Sequence, residues 1–132
     1  MAGARILVVE DDKDCRELMR TFLERAGATV RCVDSVAAAM DCVYRSFDPD
    51  VVLTDYAMPV ASGLEFIRQF RKAPSRRALA VPVLVISGHC EENWRARSLA
   101  AGAADLLTKP FDPAVLITRI AAVLAPGRSG PH

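Results

Sequence analysis

Polar residues that could bind a metal ion or a phosphoryl group stand where short apolar runs end. Asp11, Asp55, Ser87 and Lys109 each close such a run, and Glu10 directly precedes Asp11. Runs this short and this rich in Val, Ile and Leu are typical of buried parallel strands. Because ligands of open α/β sheets bind outside the carboxyl ends of the strands, we expect these side chains to meet at one edge. Three carboxylates, a hydroxyl and an ammonium group suit a hard divalent cation and a phosphoryl group.

The elements that must position these residues alternate regularly along the chain. Strand patterns lie at 6–11, 29–33, 51–55, 81–87 and 104–109. Apolar spacing and capping residues predict helices over 12–26, 62–72, 91–101 and 113–124, and a further helix that is capped by Asp34 or Ser35 and runs to 46. Five βα units in series predict a parallel sheet with right-handed crossovers and helices on both faces.

Length and composition favour one globular domain and argue against several classes of protein. The 132 residues are 52% hydrophobic, which is enough for a core and argues against disorder. Lys and Arg number 17 against 16 Asp and Glu, so charge gives no reason to expect contact with nucleic acid or a membrane surface. No membrane span or signal peptide is apparent, so we expect a cytoplasmic protein. We expect the domain to cover 1–126, followed by a disordered tail or linker stump at 127–132.

The cysteine pattern predicts neither a zinc site nor a disulfide framework. The four cysteines show no Cys-x-x-Cys spacing and no paired histidines accompany them: Cys15, Cys32, Cys42 and Cys90. We therefore expect small thiols that are buried or half-buried.

Four short motifs, in chain order, resemble those of one protein family. They are Glu10-Asp11, Asp55-Tyr56-Ala57-Met58-Pro59 with Gly63, Ser87-Gly88, and Lys109-Pro110-Phe111. Together they resemble a response-regulator receiver domain of two-component signalling, similar to the chemotaxis regulators, over nearly the whole chain. The resemblance implies a flavodoxin-like, doubly wound sheet of five parallel strands in the order 2-1-3-4-5, with five helices. In that order the first and third strands are neighbours.

The resemblance assigns the phosphoryl chemistry to three residues. Asp55 corresponds to the phospho-acceptor, because a carboxylate can form an acyl phosphate when the phosphoryl group is held in line. Lys109 would pair with one phosphoryl oxygen and Ser87 would donate a hydrogen bond to another. The family also implies a cis peptide bond between Lys109 and Pro110.

The resemblance implies Mg²⁺ as the cofactor. Asp11, Asp55 and the backbone carbonyl of Ala57 would be direct ligands, and Glu10 would act through a bound water. The local charge supports this set, because three carboxylates and Lys109 sum to −2 and a divalent ion brings the site to zero. Without the ion, the clustered acids repel one another and resist ionisation.

The family also implies partners and a biological setting. The phosphoryl donor would be a sensor histidine kinase or a histidine phosphotransfer protein in a bacterial phosphorelay, and the domain would catalyse only its own phosphorylation and dephosphorylation. A homodimer through the face of the fourth helix, fifth strand and fifth helix is allowed, without contact to nucleic acid or membrane. Cys15, Met19 and Phe22 lie at the margin of the first helix, where they serve either kinase contact or core packing.

Some positions depart from the family pattern or leave its consequences open. Receivers commonly carry Tyr or Phe three residues before the lysine, where this chain has Leu106. Ala57 and His89 occupy the two positions that often tune phosphoryl lifetime in the family. Leu106 keeps open an alternative, a receiver-like interaction module or phosphate sink whose output does not depend on phosphorylation.

Two other classes of protein fit the residues less well. Aspartyl-phosphate phosphatases of the haloacid-dehalogenase type carry a second Asp two residues after the nucleophile, and this chain has Ala57 there. A flavodoxin-like electron carrier needs a phosphate loop rich in Ser, Thr and Gly after the first strand. Here the corresponding residues, Glu10 to Asp12, would repel a flavin phosphate.

Overall fold

Five parallel strands alternate with five helices along the described part of the chain. A computed structural model of the protein describes residues 1–45, 47–58, 60–73, 80–88 and 92–124. In chain order the elements are β1 (Arg5–Val9), α1 (Lys13–Arg25), β2 (Thr29–Val33), α2 (Val36–Tyr44), β3 (Val51–Asp55), α3 (Gly63–Arg71), β4 (Val83–Ser87), α4 (Trp94–Ala101), β5 (Asp105–Thr108) and α5 (Pro113–Leu124).

The sheet has the strand order β2-β1-β3-β4-β5, and all four pairings are parallel. This is the predicted doubly wound, flavodoxin-like arrangement, so the fold expected from the sequence is confirmed. The register places Asp55 beside Ile86, and Ser87 beside Thr108. The ends of β1, β3, β4 and β5 therefore lie in one row at the carboxyl edge of the sheet.

Side-chain caps begin three of the helices at this edge. Asp12, Ser35 and Ser62 each accept a hydrogen bond from the main-chain N–H three residues later. The start of α4 differs, because Asn93 has the left-handed φ of 69° and its side chain makes no cap hydrogen bond. The first turn of α4 therefore lacks the kind of side-chain cap that begins α1, α2 and α3.

Several element ends differ from the sequence prediction by two or three residues. The strand β4 begins at Val83 rather than at residue 81, because Pro82 has no N–H to pair in a ladder. The helix α2 ends at Tyr44 and α4 begins at Trp94. The predicted ends at residues 46 and 91 lie outside the described residues, as do His89, Cys90 and the expected tail at 127–132.

Two apolar clusters fill the two faces of the sheet. The cluster under α2, α3 and α4 includes Val52, Phe66 and Trp94, and the cluster under α1 and α5 includes Met19 and Leu116. Met19 is 1% exposed, so core packing, and not kinase contact, is its role on α1. No helix among the described residues has the length and apolar character needed to span a bilayer.

Candidate functional site: an acidic cavity at the carboxyl edge

One cavity of ≈ 260 Å³ collects the residues that the sequence singled out for chemistry. Its lining consists of Glu10, Asp11, Asp12, Asp55, Ala57, Ser87, Gly88 and Lys109. Asp55 and Ser87 are the last residues of β3 and β4, and Lys109 directly follows β5. All six residues predicted to bind metal or phosphoryl group are therefore brought together.

Lys109 lies between two carboxylates of this cavity. Its Nζ atom is 2.6 Å from Oε1 of Glu10 and 3.3 Å from Oδ1 of Asp55. The Glu10 and Asp55 side chains are 2% and 10% exposed, so these ion pairs are largely withdrawn from water. Burial strengthens the attraction between the charges but also costs them their hydration, and it makes the loss of either partner costly because the other charge is then left uncompensated.

The three acids form a compact group of oxygen ligands. Glu10, Asp11 and Asp55 each offer one carboxylate oxygen, and these atoms all lie within 4.8 Å of one another. Asp11 is exposed to solvent, whereas the other two are buried. Clustered carboxylate oxygens with access to water are the ligands that Mg²⁺ prefers, so the donor set fits this ion. Ala57 lines the same cavity.

The pKa values of the two buried acids, Glu10 and Asp55, shift in opposite directions. Burial, together with the neighbouring charge of Glu10, raises the pKa of Asp55 to about 7. Burial also opposes ionisation of Glu10, but the hydrogen bonds from Lys109 and from the Asp12 N–H outweigh it and lower the pKa of Glu10. Although burial alone would lower the pKa of Lys109, its hydrogen bond to Glu10 raises it. The cavity therefore holds a charged Glu10–Lys109 pair beside an Asp55 carboxyl that ionises less readily than a free aspartate.

Arg16 is a component of the site that the sequence analysis missed. From the first turns of α1, its Nη1 atom donates to the carbonyl oxygen of Glu10 at 2.9 Å and to that of Asp11 at 3.4 Å. The Asp12 N–H also donates to Oε2 of Glu10 at 3.1 Å. These contacts fix the backbone of the two acidic residues. An arginine one to two turns after an acidic pair is a signal that sequence reasoning could have used.

Gly63 allows α3 to start close to the end of β3. A Cβ atom added at this position would lie 2.2 Å from the carbonyl oxygen of Asp55. The Gly63 N–H donates to the carbonyl oxygen of Tyr56 at 2.9 Å, which ties the start of α3 to the residue after Asp55. The glycine noted in the sequence motif is therefore required by close backbone approach.

Leu106, the position that departs from the family pattern, lies in β5 outside the lining of the acidic cavity. Leu106 in β5 is half-buried and packs against the apolar cluster that contains Tyr56 and Trp94. The rings of Tyr56 and Trp94 meet edge to face, with centroids 5.9 Å apart and an interplanar angle of 68°. The peptide bond between Lys109 and Pro110 is cis.

The strand order and the acidic cavity together define a receiver domain of two-component response regulators. The chain belongs to the response regulator receiver domain family, whose profile matches residues 6–121.

Curated relatives share about a third of the residues with this chain. The phosphate regulon transcriptional regulatory protein PhoB of Escherichia coli is 36% identical over 120 residues, which are 91% of this chain and 51% of PhoB. The transcriptional regulatory protein CseB of Streptomyces coelicolor is 36% identical over 119 residues, which are 90% of this chain and 48% of CseB. The chain thus spans about half the length of these two relatives.

Solved structures of receivers have the same architecture. The chemotaxis protein CheY4 of Vibrio cholerae, crystallised at low pH, has a TM-score of 0.85 at 28% identity, covering 93% of this chain and 100% of that one. A response regulator from Chloroflexus aurantiacus has a TM-score of 0.84 at 28% identity, covering 92% and 98%. The receiver domain of a histidine kinase from Syntrophus aciditrophicus has a TM-score of 0.82 at 27% identity, covering 92% and 90%.

Proposed function

We propose that the domain accepts a phosphoryl group on Asp55 from a phosphohistidine of a sensor histidine kinase or a histidine phosphotransfer protein. The observation that carries this proposal is the position of the Asp55 carboxylate, which lies 3.3 Å from Lys109 Nζ inside the acidic cavity. A carboxylate held beside a cation and other oxygen ligands is placed to attack phosphorus and to have the developing charge neutralised.

The transfer exchanges one bond to phosphorus for another. An oxygen of ionised Asp55 forms the O–P bond while the P–N bond to the donor imidazole breaks, and the imidazole nitrogen keeps the electron pair and is neutralised by a proton. Lys109 would turn from Asp55 toward a phosphoryl oxygen, and the buried hydroxyl of Ser87 would donate to another. Attack of water on phosphorus later restores the carboxylate and releases phosphate.

The metal-binding part of the proposal follows from the oxygen ligands present. Asp11, Asp55 and the carbonyl of Ala57 would hold Mg²⁺, which, when bound, would offset the negative charge of the carboxylates and the phosphoryl group. Both carboxylate oxygens of Glu10 already accept hydrogen bonds, from Lys109 and from the Asp12 N–H. This supports an indirect role for Glu10, through a bound water.

Signalling follows from the reversibility of this modification. The domain acts on itself and on its phosphorylated partner, not on external substrates. PhoB and CseB carry the name of transcriptional regulators, and we infer that this receiver likewise controls an output by a change of its surface. The cytoplasmic location, the domain limits at 1–126 and a homodimer through α4, β5 and α5 remain predictions.

Phosphorylation with a small donor tests the proposal without knowledge of the partner. The protein is incubated with acetyl phosphate and Mg²⁺, the acyl phosphate is trapped by borohydride reduction, and the modified residue is mapped by mass spectrometry. We expect modification of Asp55 alone and none in Asp55→Asn. Asp34→Asn is the matched control, because Asp34 is an exposed aspartate that follows β2 at the same edge. Undiminished label in Asp55→Asn would overturn the assignment.

A further inference from the structure

A buried aromatic contact joins the residue after the phospho-acceptor to the first residue of α4. Tyr56 and Trp94 are 4% and 5% exposed and pack edge to face with ring centroids 5.9 Å apart. We propose that this pair transmits the phosphorylation state of Asp55 to α4, in place of the aromatic residue that Leu106 replaces in β5. The inference rests on the proposed function of Asp55.

Tyr56 is tied to the parts of the backbone that flank the acidic cavity. Its N–H donates to the carbonyl oxygen of Ile86 at 2.8 Å, and its own carbonyl oxygen accepts from the Gly63 N–H at 2.9 Å. Ile86 directly precedes Ser87, the hydroxyl residue of the cavity. A movement of Asp55 or Ser87 toward a phosphoryl group therefore acts on the backbone that carries the Tyr56 ring.

Trp94 is the main apolar anchor of α4. Among the residues of this helix only Trp94 and Ser98 are buried, and the Ser98 hydroxyl has no hydrogen-bond partner among the described residues. The preceding Asn93 is left-handed and gives no side-chain cap. A helix that has neither a side-chain cap at its N-terminus nor a second large buried side chain takes the position of its first turn chiefly from the packing of its one aromatic residue.

The exposed face of α4 moves with this anchor. The Arg95 guanidinium lies over the Trp94 ring, 4.9 Å from its centroid, and Leu99, one turn further on, is 55% exposed. Leu106 packs against the same cluster but carries no ring and no hydroxyl that could change partners between two states. Only a contact that differs between the states can shift their equilibrium, and the Tyr56–Trp94 contact is placed to supply that difference.

Because Trp94 is the only tryptophan of the chain, its fluorescence reports directly on the proposed contact. The probe is beryllofluoride with Mg²⁺, read by Trp94 emission and by amide chemical shifts over α4, with bound beryllofluoride followed by fluorine NMR. In the wild type we expect the emission and the α4 amides to change together. Tyr56→Leu should lose at least half of the α4 shift changes while still binding beryllofluoride, and Tyr56→Phe should keep them.

Phe70→Leu is the matched control, since Phe70 lies in the same apolar cluster but stacks on Phe66, in an aromatic pair separate from Tyr56–Trp94. It should keep the wild-type response. Should Tyr56→Leu fail to fold, the same comparison is made at the other ring, with Trp94→Leu against Trp94→Phe. The response is then read from the amide chemical shifts of α4. An unchanged α4 response in the leucine variants, or an equal loss in Phe70→Leu, would overturn the relay. If the wild type binds no beryllofluoride and accepts no phosphoryl group, the function proposed for Asp55 is overturned. The proposed coupling of Tyr56 and Trp94 then falls with it.

Discussion

Replacing Asp55 with asparagine should stabilise the metal-free protein. Burial and the charge of Glu10 raise the pKa of Asp55 to about 7 from the ordinary value of 3.8. That difference corresponds to about 4 kcal/mol at neutral pH as an upper limit, at about 1.4 kcal/mol for each pH unit. An effective dielectric constant of about 20 describes such sites better than the low value of a dry interior, which reduces the penalty. We therefore expect Asp55→Asn to raise the unfolding free energy by about 1–3 kcal/mol.

The pH dependence of this gain identifies its cause. Below pH 3.8 the carboxyl is protonated in both the folded and the unfolded chain, and the wild type has no penalty. As the pH rises from there through about 7, the unfolded chain releases its proton more readily than the folded chain, so the wild type loses stability relative to the variant. The advantage of Asp55→Asn should therefore grow over this window and stay constant above it.

Urea unfolding followed by circular dichroism, in buffers with EDTA between pH 4 and pH 8, measures this difference. Asp34→Asn is the control for loss of an exposed carboxylate at the same sheet edge. A stability difference for Asp55→Asn that does not vary with pH would show that desolvation of the carboxylate is not its source. A variant less stable than the wild type at pH 8 would refute the reasoning altogether.

Three further predictions concern the loop after β1, which carries two of the proposed metal-binding acids, and the start of α3. At about ten times its dissociation constant, Mg²⁺ should raise the unfolding free energy of the wild type by about 1.4 kcal/mol, and that of Asp11→Asn by less; denaturation in EDTA against Mg²⁺ measures both. Arg16→Met should weaken Mg²⁺ binding several-fold, because the carbonyl oxygen of Glu10 loses its hydrogen-bond donor. Lys13→Met removes an exposed charge from the same helix and should leave Mg²⁺ binding unchanged; an NMR titration with Mg²⁺ measures both affinities. Gly63→Ala should cost about 3 kcal/mol through overlap with the β3 carbonyl, while Gly88→Ala, with 3.5 Å of room, should cost little; thermal unfolding compares the two.

The sequence sufficed for the fold because its local signals agree with one another. The strands at 29–33 and 51–55 have the predicted bounds, and Ser62 caps the helix that it was expected to begin. Of the two candidate caps for α2, Asp34 and Ser35, it is Ser35 that caps the helix. The errors occur where a local pattern is ambiguous. Val81 continues an apolar run, but Pro82 cannot pair in the ladder, and the start of α4 depends on a left-handed Asn93 that no apolar periodicity reveals.

The side chains that meet at the site could be predicted, but their pairing could not. Strand ends in a doubly wound sheet converge by topology, so the cavity follows from the order of the motifs. The 2.6 Å contact of Lys109 with Glu10, the Arg16 hydrogen bonds and the Tyr56–Trp94 contact depend on rotamers and long-range packing. Spacing along the chain marks Arg16 as a candidate, but it does not encode the geometry of any of these contacts.

The ion pair between Glu10 and Lys109 joins residues that are 99 positions apart, from the first βα unit to the last. Asp55 also relies on that late lysine for its nearest cation. During synthesis Glu10 and Asp55 leave the ribosome before Lys109 does. Until Lys109 emerges, these two acids have no counter-charge from it. Under the function proposed for Asp55, competence to accept a phosphoryl group would therefore be acquired only when β5 joins the sheet, and copies truncated before Lys109 would not take part in phosphoryl transfer.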